Sequence, residues 1–361
     1  IYPILKESYG LDFVQIGLLS FTFQLTASLL QPIIGVQTDR RPQPYSLAVG
    51  MGFTLVGLVM LGFAQDYWLL LAGAAGIGLG SAVFHPESSR VARLASGGRH
   101  GFAQSTFQVG GNAGAAAGPL LAAFVVLPRG QSAIAWFGIA ALLGIVVLSR
   151  VGRWYAGQLR EAARRQPADT RLPFDQRTTR IALVVLVLLT LSKHAYATAI
   201  VNYFTFYLIE KFGVDVQTSQ IMLFVFLAAS AVGVYLGGPI GDRFGSKFVI
   251  WFSILGAVPF TLALPYADLT WSIVLVVIIG IVISSAFPAI VVFGQELMPG
   301  RVGMVAGMFF GFAFGMAGIA AALLGALADV HGVEMVFQLT SYLPLLGLLT
   351  IFLPDMKRRP G

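Results

Sequence analysis

The chain has 361 residues, 57% of them hydrophobic and 11% charged, with a formal net charge of +7. Soluble domains carry roughly 25% charged residues, so this composition, with a mean hydropathy of +0.81, excludes a soluble globular protein and a disordered one. The absence of cysteine excludes a disulfide scaffold, cysteine-ligated zinc and iron–sulfur clusters.

A helix needs about 20 apolar residues to cross ~30 Å of hydrocarbon. Apolar runs between polar breaks predict eleven such helices, at 13–36, 45–64, 67–87, 103–127, 132–150, 181–208, 218–240, 247–266, 271–293, 302–327 and 333–353. Strands of a membrane barrel are about 10 residues long and alternate; these runs are longer and do not. An apolar stub, Ile1 to Leu5, precedes the first span and is followed by Lys6 and Glu7.

An internal repeat explains the stub. Gly35-Val-Gln-Thr-Asp39-Arg40-Arg41 ends the first span, and Gly238-Pro-Ile-Gly-Asp242-Arg243 ends the span 218–240, a shift of 203 residues. The same shift aligns Leu5 to Asp12 with Leu208 to Asp215. Gly98-Arg99-His100-Gly101 aligns with Gly300-Arg301-Val302-Gly303 at a shift of 202. Such parallel halves mark transporter folds. The second half opens with a full span, 181–208, whose counterpart would lie mostly before Ile1. The repeat therefore predicts twelve spans in two six-helix bundles, 1–150 and 181–361, with the first helix largely missing from the sequence. A basic cytoplasmic linker, 151–180, joins them. Trp154, Tyr155 and Leu159 among its arginines suit either a helix lying on anionic lipid or an unstructured basic connection.

If the missing helix starts in the cytoplasm, 19 Lys and Arg fall on the cytoplasmic side and 3 on the other, with Lys193 inside a span. This asymmetry predicts both termini in the cytoplasm. The basic charge is then topogenic and is not a nucleic-acid footprint.

The duplicated Gly-x-x-x-Asp-Arg motif is the most specific signal. Glycine lets another helix pack close, and the aspartate can hold a cation or the positive N-terminus of a neighbouring helix. Gly35, Asp39, Arg40, Gly238, Asp242 and Arg243 are read as a cytoplasmic gate, with Arg90 or Arg93 as partners. The same residues carry a resemblance. Gly35 to Arg41 and Gly238 to Lys247 resemble the signature loops of the major facilitator superfamily. Within it, Gln31 to Arg40 and Phe84 to Asn112 resemble the fosmidomycin resistance protein family. The resemblance implies a major facilitator fold of two pseudo-symmetric six-helix bundles. It also implies a bacterial inner-membrane, proton-driven exporter of a phosphonate antibiotic.

Gly110, Gly114 and Gly118-Pro119 form a smooth stripe on one helix face and resemble the Gly-Pro motif of drug/proton antiporters. Gly303, Gly307, Gly311 and Gly315 form a similar stripe. Both are read mainly as helix contacts that permit rocking.

Ionisable residues inside a span are functional candidates. His85 and Glu87 suit proton binding and release; the alternative is that Glu87 only pairs with Arg90 or Arg93. Lys193 and His194 lie near the centre of the span 181–208, with Tyr203 further along, and an anionic substrate would find a cation and donors there. Gln24 and a polar stripe of Gln104, Gln108 and Asn112 either line a pore or bond across helices. Candidate substrate residues are thus Lys193, His194, Gln108, Asn112, Gln24 and Tyr203.

No phosphate-binding glycine loop, His-Glu-x-x-His site or Ser-His-Asp set occurs, so neither an enzyme nor a bound cofactor or metal is expected. The sequence predicts a monomeric, all-α, multi-pass transporter. It would export a small organic anion or drug in exchange for protons, contacting lipid but not nucleic acid. A proton-coupled importer of a sugar or carboxylate is the alternative.

Overall fold

A computed structural model describes residues 9–11, 13–164 and 171–356, with the backbone alone at 13, 14, 16, 115, 116, 119, 120, 122, 123, 162, 163 and 216. The apolar stub, Lys6, Glu7, the middle of the basic linker and the ring of Pro119 lie outside the described residues.

Every regular element among the described residues is helical. In chain order these are α1 (Phe13–Arg40), α2 (Ser46–Phe63), α3 (Tyr67–Ala95), α4 (His100–Leu121), α5 (Phe137–Arg164), α6 (Gln176–Phe212), α7 (Val216–Phe244), α8 (Ser246–Leu255), α9 (Val258–Ala263), α10 (Leu269–Ser284), α11 (Ala286–Leu297), α12 (Val302–His331) and α13 (Val333–Thr340). A π-helical turn and one further turn continue α4 to Arg129, and 3₁₀ segments precede α5, follow α9 and close the chain at Leu343–Phe352. Helix covers all eleven predicted spans. Ten segments among the described residues are long and apolar enough to cross a membrane; the predicted span 103–127 is helical but is not among the ten.

The helices overrun the predicted spans because helix ends are set by caps, not by where hydrocarbon ends. Asp175 accepts hydrogen bonds from the backbone N–H groups of Arg177 and Thr178 and starts α6 before its apolar run. Gly213, at φ 66°, stops it in the left-handed conformation that glycine adopts without strain. Proline acts inside the apolar runs. Pro259 and Pro288 lack the N–H that would continue the ladder, and the predicted spans 247–266 and 271–293 are each broken into two helices just before them.

Helix extends into the predicted basic linker, 151–180. Helix α5 continues through Arg164, carrying Trp154, Tyr155 and Leu159 with it. Tyr155 is buried rather than laid on lipid.

The chain divides into two compact units: residues 1–91, 111–170 and 299–311, and residues 92–110, 171–298 and 312–361. The second unit thus takes the opening turns of α4, and the first takes those of α12. The first unit packs α2 on α3 through glycine. A methyl group on Gly57 would lie 2.6 Å from the carbonyl oxygen of Gly73, and one on Gly73 would lie 3.0 Å from that of Gly57. The second unit is built around α6, where Tyr196, Ile200, Phe204 and Tyr207 pack with Phe226, Ile279, Ile283 and Phe337. Large apolar side chains also face outward, such as Ile33, Phe224 and Ile351. That distribution suits contact with lipid tails and would be costly in water.

Candidate functional site

Each unit contains one of the two aspartates, and each aspartate holds the N-terminus of a helix. In the first unit, Asp39 at the end of α1 accepts hydrogen bonds from the backbone N–H groups of Gly303, at 2.9 Å, and Met304, at 2.7 Å. In the second, Asp242 near the end of α7 accepts from those of Gly101, at 2.7 Å, and Phe102, at 2.8 Å. The first turn of a helix leaves such donors without intrahelical partners, and its dipole favours a negative charge there.

The motif glycines make this approach possible. A methyl group on Gly35 would strike the carbonyl of Gly303, and one on Gly238 would strike the carbonyl of Gly101. These are backbone collisions that side-chain movement cannot relieve. The sequence repeat at Gly98 to Gly101 and Gly300 to Gly303 was the signal for these partners, because it marks the two helix starts that the aspartates seize.

The first clasp has a further layer of charge. Arg90 Nη2 lies 2.6 Å from Asp39 Oδ1, and Arg90 also contacts Glu87 Oε1 at 3.4 Å. The guanidinium donates to the Thr38 carbonyl at 2.5 Å, to Thr38 Oγ1 at 3.0 Å and to the Tyr155 hydroxyl at 3.5 Å. Ser46 donates to Glu87 Oε2 at 3.2 Å. Thr38, an unspecified position of the Gly35–Arg41 motif, Ser46, and Tyr155, which the sequence placed in the basic linker, were not candidate site residues. Arg40 is exposed.

The second clasp is plainer. Asp242 is exposed. Arg93 donates to Gln295 at 3.3 Å, and Arg243 stacks over the ring of Phe244 at 5.2 Å. His100, the first residue of α4, contacts Ser96 Oγ at 2.8 Å. Burial and the nearby Arg93 charge push its imidazole below the ordinary histidine range, with Asp242 opposing.

The substrate candidates fall into two sets. Lys193 is buried on α6, with its ammonium 5.2 Å from the centre of the Phe287 ring, and it has no ion pair among the described residues. His194 places Nδ1 at 2.9 Å from the Thr190 carbonyl and meets the same Phe287 ring edge-on at 4.9 Å. Phe287, on α11, thus contacts both side chains and was not a sequence candidate. Tyr203 stands apart, donating its hydroxyl to the Ala321 carbonyl at 2.7 Å. Gln108 is buried in the second unit with Nε2 unpartnered among the described residues. Asn112 is exposed and Gln24 half-buried in the first. The proton candidates also lie there: His85 stacks on Phe310 at 4.8 Å, and Glu87 is fully buried beside Arg90.

One expectation is overturned. The stripe Gly110, Gly114 and Gly118 makes no close contact, since added methyl groups there would meet nothing within 4 Å. The stripe on α12 does pack: methyl groups on Gly307 and Gly311 would strike the carbonyls of Gln31 and Ser28 on α1. Spacing shows which glycines share a face, but not whether a neighbour reaches it.

A bundle of membrane-length helices, with charged clasps on helix ends and a buried cation inside a span, defines a polytopic membrane transporter. Comparison with known proteins gives the family. The family model described as Major Facilitator Superfamily matches residues 1–322 and 187–361. The fosmidomycin resistance protein of Escherichia coli K12 is 54% identical over 359 residues, covering 99% of this chain and 88% of the relative. The uncharacterised transporter YfnC of Bacillus subtilis 168 is 40% identical, covering 99% and 88%. In fold, the chain matches the transporter FucP with a TM-score of 0.75 at 16% identity over 98% of this chain and 93% of that one. It matches the human organic anion transporter MFSD10 with a TM-score of 0.72 at 16% identity over 94% and 83%. The chain belongs to the Major Facilitator Superfamily, a family of transporters and not of enzymes, and it is a multi-pass membrane protein.

Proposed function

We propose that the chain is a proton-coupled secondary transporter that exports a small organic anion, of the phosphonate type suggested by its fosmidomycin-resistance relative, by alternating access. Residues 1–150 and 181–361 act as two six-helix lobes in a bacterial inner membrane. Both termini are cytoplasmic and the monomer is the working unit. The observation that carries the reading is Lys193: a buried cation within a membrane-spanning helix, with an aromatic ring for company and no carboxylate among the described residues. Such a charge is costly in hydrocarbon unless a cavity or an anion meets it. A phosphonate or hydroxamate supplies that anion, with His194 beside it; Gln108 and Tyr203 in the second unit, and Asn112 and Gln24 in the first, are the further candidate substrate residues.

His85 and Glu87 are the proposed proton-coupling groups. The ion pair with Arg90 gives Glu87 a way to couple its charge state to the Asp39 clasp. The clasps form the cytoplasmic gate, made in one state and broken in the other.

Transport in proteoliposomes under an imposed pH gradient tests the reading. Fosmidomycin and protons are expected to move in opposite directions, and Lys193→Ala is expected to lower fosmidomycin transport at least tenfold. Co-directional movement would favour the importer reading. Unchanged transport in Lys193→Ala would remove Lys193 from the site.

A further inference from the structure

The seam between α1 and the opening turns of α12 lies within the first unit and is closed by glycine. Methyl groups on Gly303, Gly307 and Gly311 would meet the carbonyls of Gly35, Gln31 and Ser28 in turn. The Ser28 carbonyl is one that helix α1 cannot satisfy itself, because its partner position four residues on is Pro32. Around this seam most polar side chains are engaged. Asp39 holds the two α12 amides and Arg90. Thr38 Oγ1 bonds back to the Ile34 carbonyl at 2.9 Å, and Ser28 Oγ bonds to the Gln24 carbonyl at 2.6 Å.

Gln31 is the exception. Gln31 shares the seam face of α1 with Ser28 and Gly35, three and four residues away, and a methyl group on Gly307 would strike its backbone carbonyl; the residue is fully buried, and neither Oε1 nor Nε2 has a hydrogen-bond partner among the described residues. A primary amide offers two donors and an acceptor. Left unpaired in a low-dielectric interior it destabilises the state that buries it. An apolar side chain of similar length would fill the same space without that penalty.

We propose that Gln31 is a positioning residue for opening this seam. Its amide is unpaired while α12 lies on α1 and gains water or protein partners when the two separate. The cost it imposes on the closed seam offsets part of what the Asp39 clasp contributes, keeping the closed and open forms close in energy. A ligand can shift an equilibrium only by its differential affinity for the two states, so a small gap lets substrate and proton binding move it. The inference rests on the alternating-access reading in one respect: the seam must open during transport.

The test uses the full chain in lipid with Gln31→Leu and Gln31→Met, and reads hydrogen exchange at the Gly303 and Met304 amides. Those N–H groups are held by Asp39 only while the seam is closed, so their exchange counts openings. Both variants are expected to slow that exchange about tenfold, the scale of removing one buried unpaired polar group. Both are expected to melt at higher temperature while transporting more slowly. A merely structural role would lower the melting temperature and speed exchange. Exchange that is equal or faster in both variants would overturn the role of Gln31 alone. Complete protection of both amides in the unsubstituted protein during transport would overturn the alternating-access reading and this inference with it.

Discussion

The two aspartate clasps make the same backbone contact in different electrical surroundings. Asp39 and Asp242 each take two N–H groups at a helix start, and Gly35 and Gly238 each allow the approach. Among the described residues only Asp39 is also bound by an arginine, within a buried set that includes Glu87, Thr38 and Tyr155. The repeat shows where the difference arises. A shift of 202 or 203 residues carries Glu87 onto Ala289 or Ile290 and Arg90 onto Val292 or Phe293, all buried and apolar. Helix-terminus recognition is thus common to both halves, and among the described residues an arginine bound to the clasp aspartate occurs in the first. In the proposed function, Glu87 acts on the Asp39 clasp through its ion pair with Arg90.

This contrast is most sharply broken at Arg90. Arg90→Ala leaves Asp39 and Glu87 as close, buried and uncompensated carboxylates, and breaking a buried pair by removing one partner costs about 3–5 kcal/mol. The variant is expected to show the largest fall in melting temperature, read by thermal unfolding in detergent micelles. Phe293→Ala, at the corresponding place in the second unit, tests whether position alone matters. It should lose packing but leave the Asp242 contacts formed.

A smaller effect, and one expected to be shared by both clasps, comes from the glycines. Gly35→Ala and Gly238→Ala each force a methyl group into a backbone carbonyl, and overpacking of this kind costs roughly 1–3 kcal/mol. Gly114→Ala meets open space and is expected to be neutral or to stabilise by about 0.5–1 kcal/mol through helix propensity. Melting temperatures of the three variants would show whether close approach, rather than glycine as such, is what the motif requires.

Much of this architecture is legible in the sequence. All eleven apolar runs are helical, two of them broken just before Pro259 and Pro288, because membrane length is a strong constraint. The repeat of Gly35 with Gly238 and Asp39 with Asp242 pointed to paired clasps. Less was legible where partners come from distant segments. Gln31, Thr38 and Tyr155 were not candidate site residues and matter because α1, α3 and α5 meet around Arg90 or α12 meets α1. Tyr155, read either as part of a helix on lipid or of an unstructured basic connection, is instead buried on α5. The glycine stripes show the same limit. One-dimensional spacing predicts a smooth face at Gly110, Gly114 and Gly118 as readily as at Gly303, Gly307 and Gly311, and only the second face has a neighbour.

Amide exchange in Asp39→Asn and Asp242→Asn tests the claim of two separate clasps of unequal strength most directly. Each substitution is expected to speed exchange of its own pair, Gly303 and Met304 for the first and Gly101 and Phe102 for the second. The acceleration should be greater for Asp39→Asn, because that change also strips Arg90 of its closest carboxylate. Equal acceleration of both pairs by either substitution, or none by Asp39→Asn, would contradict the account.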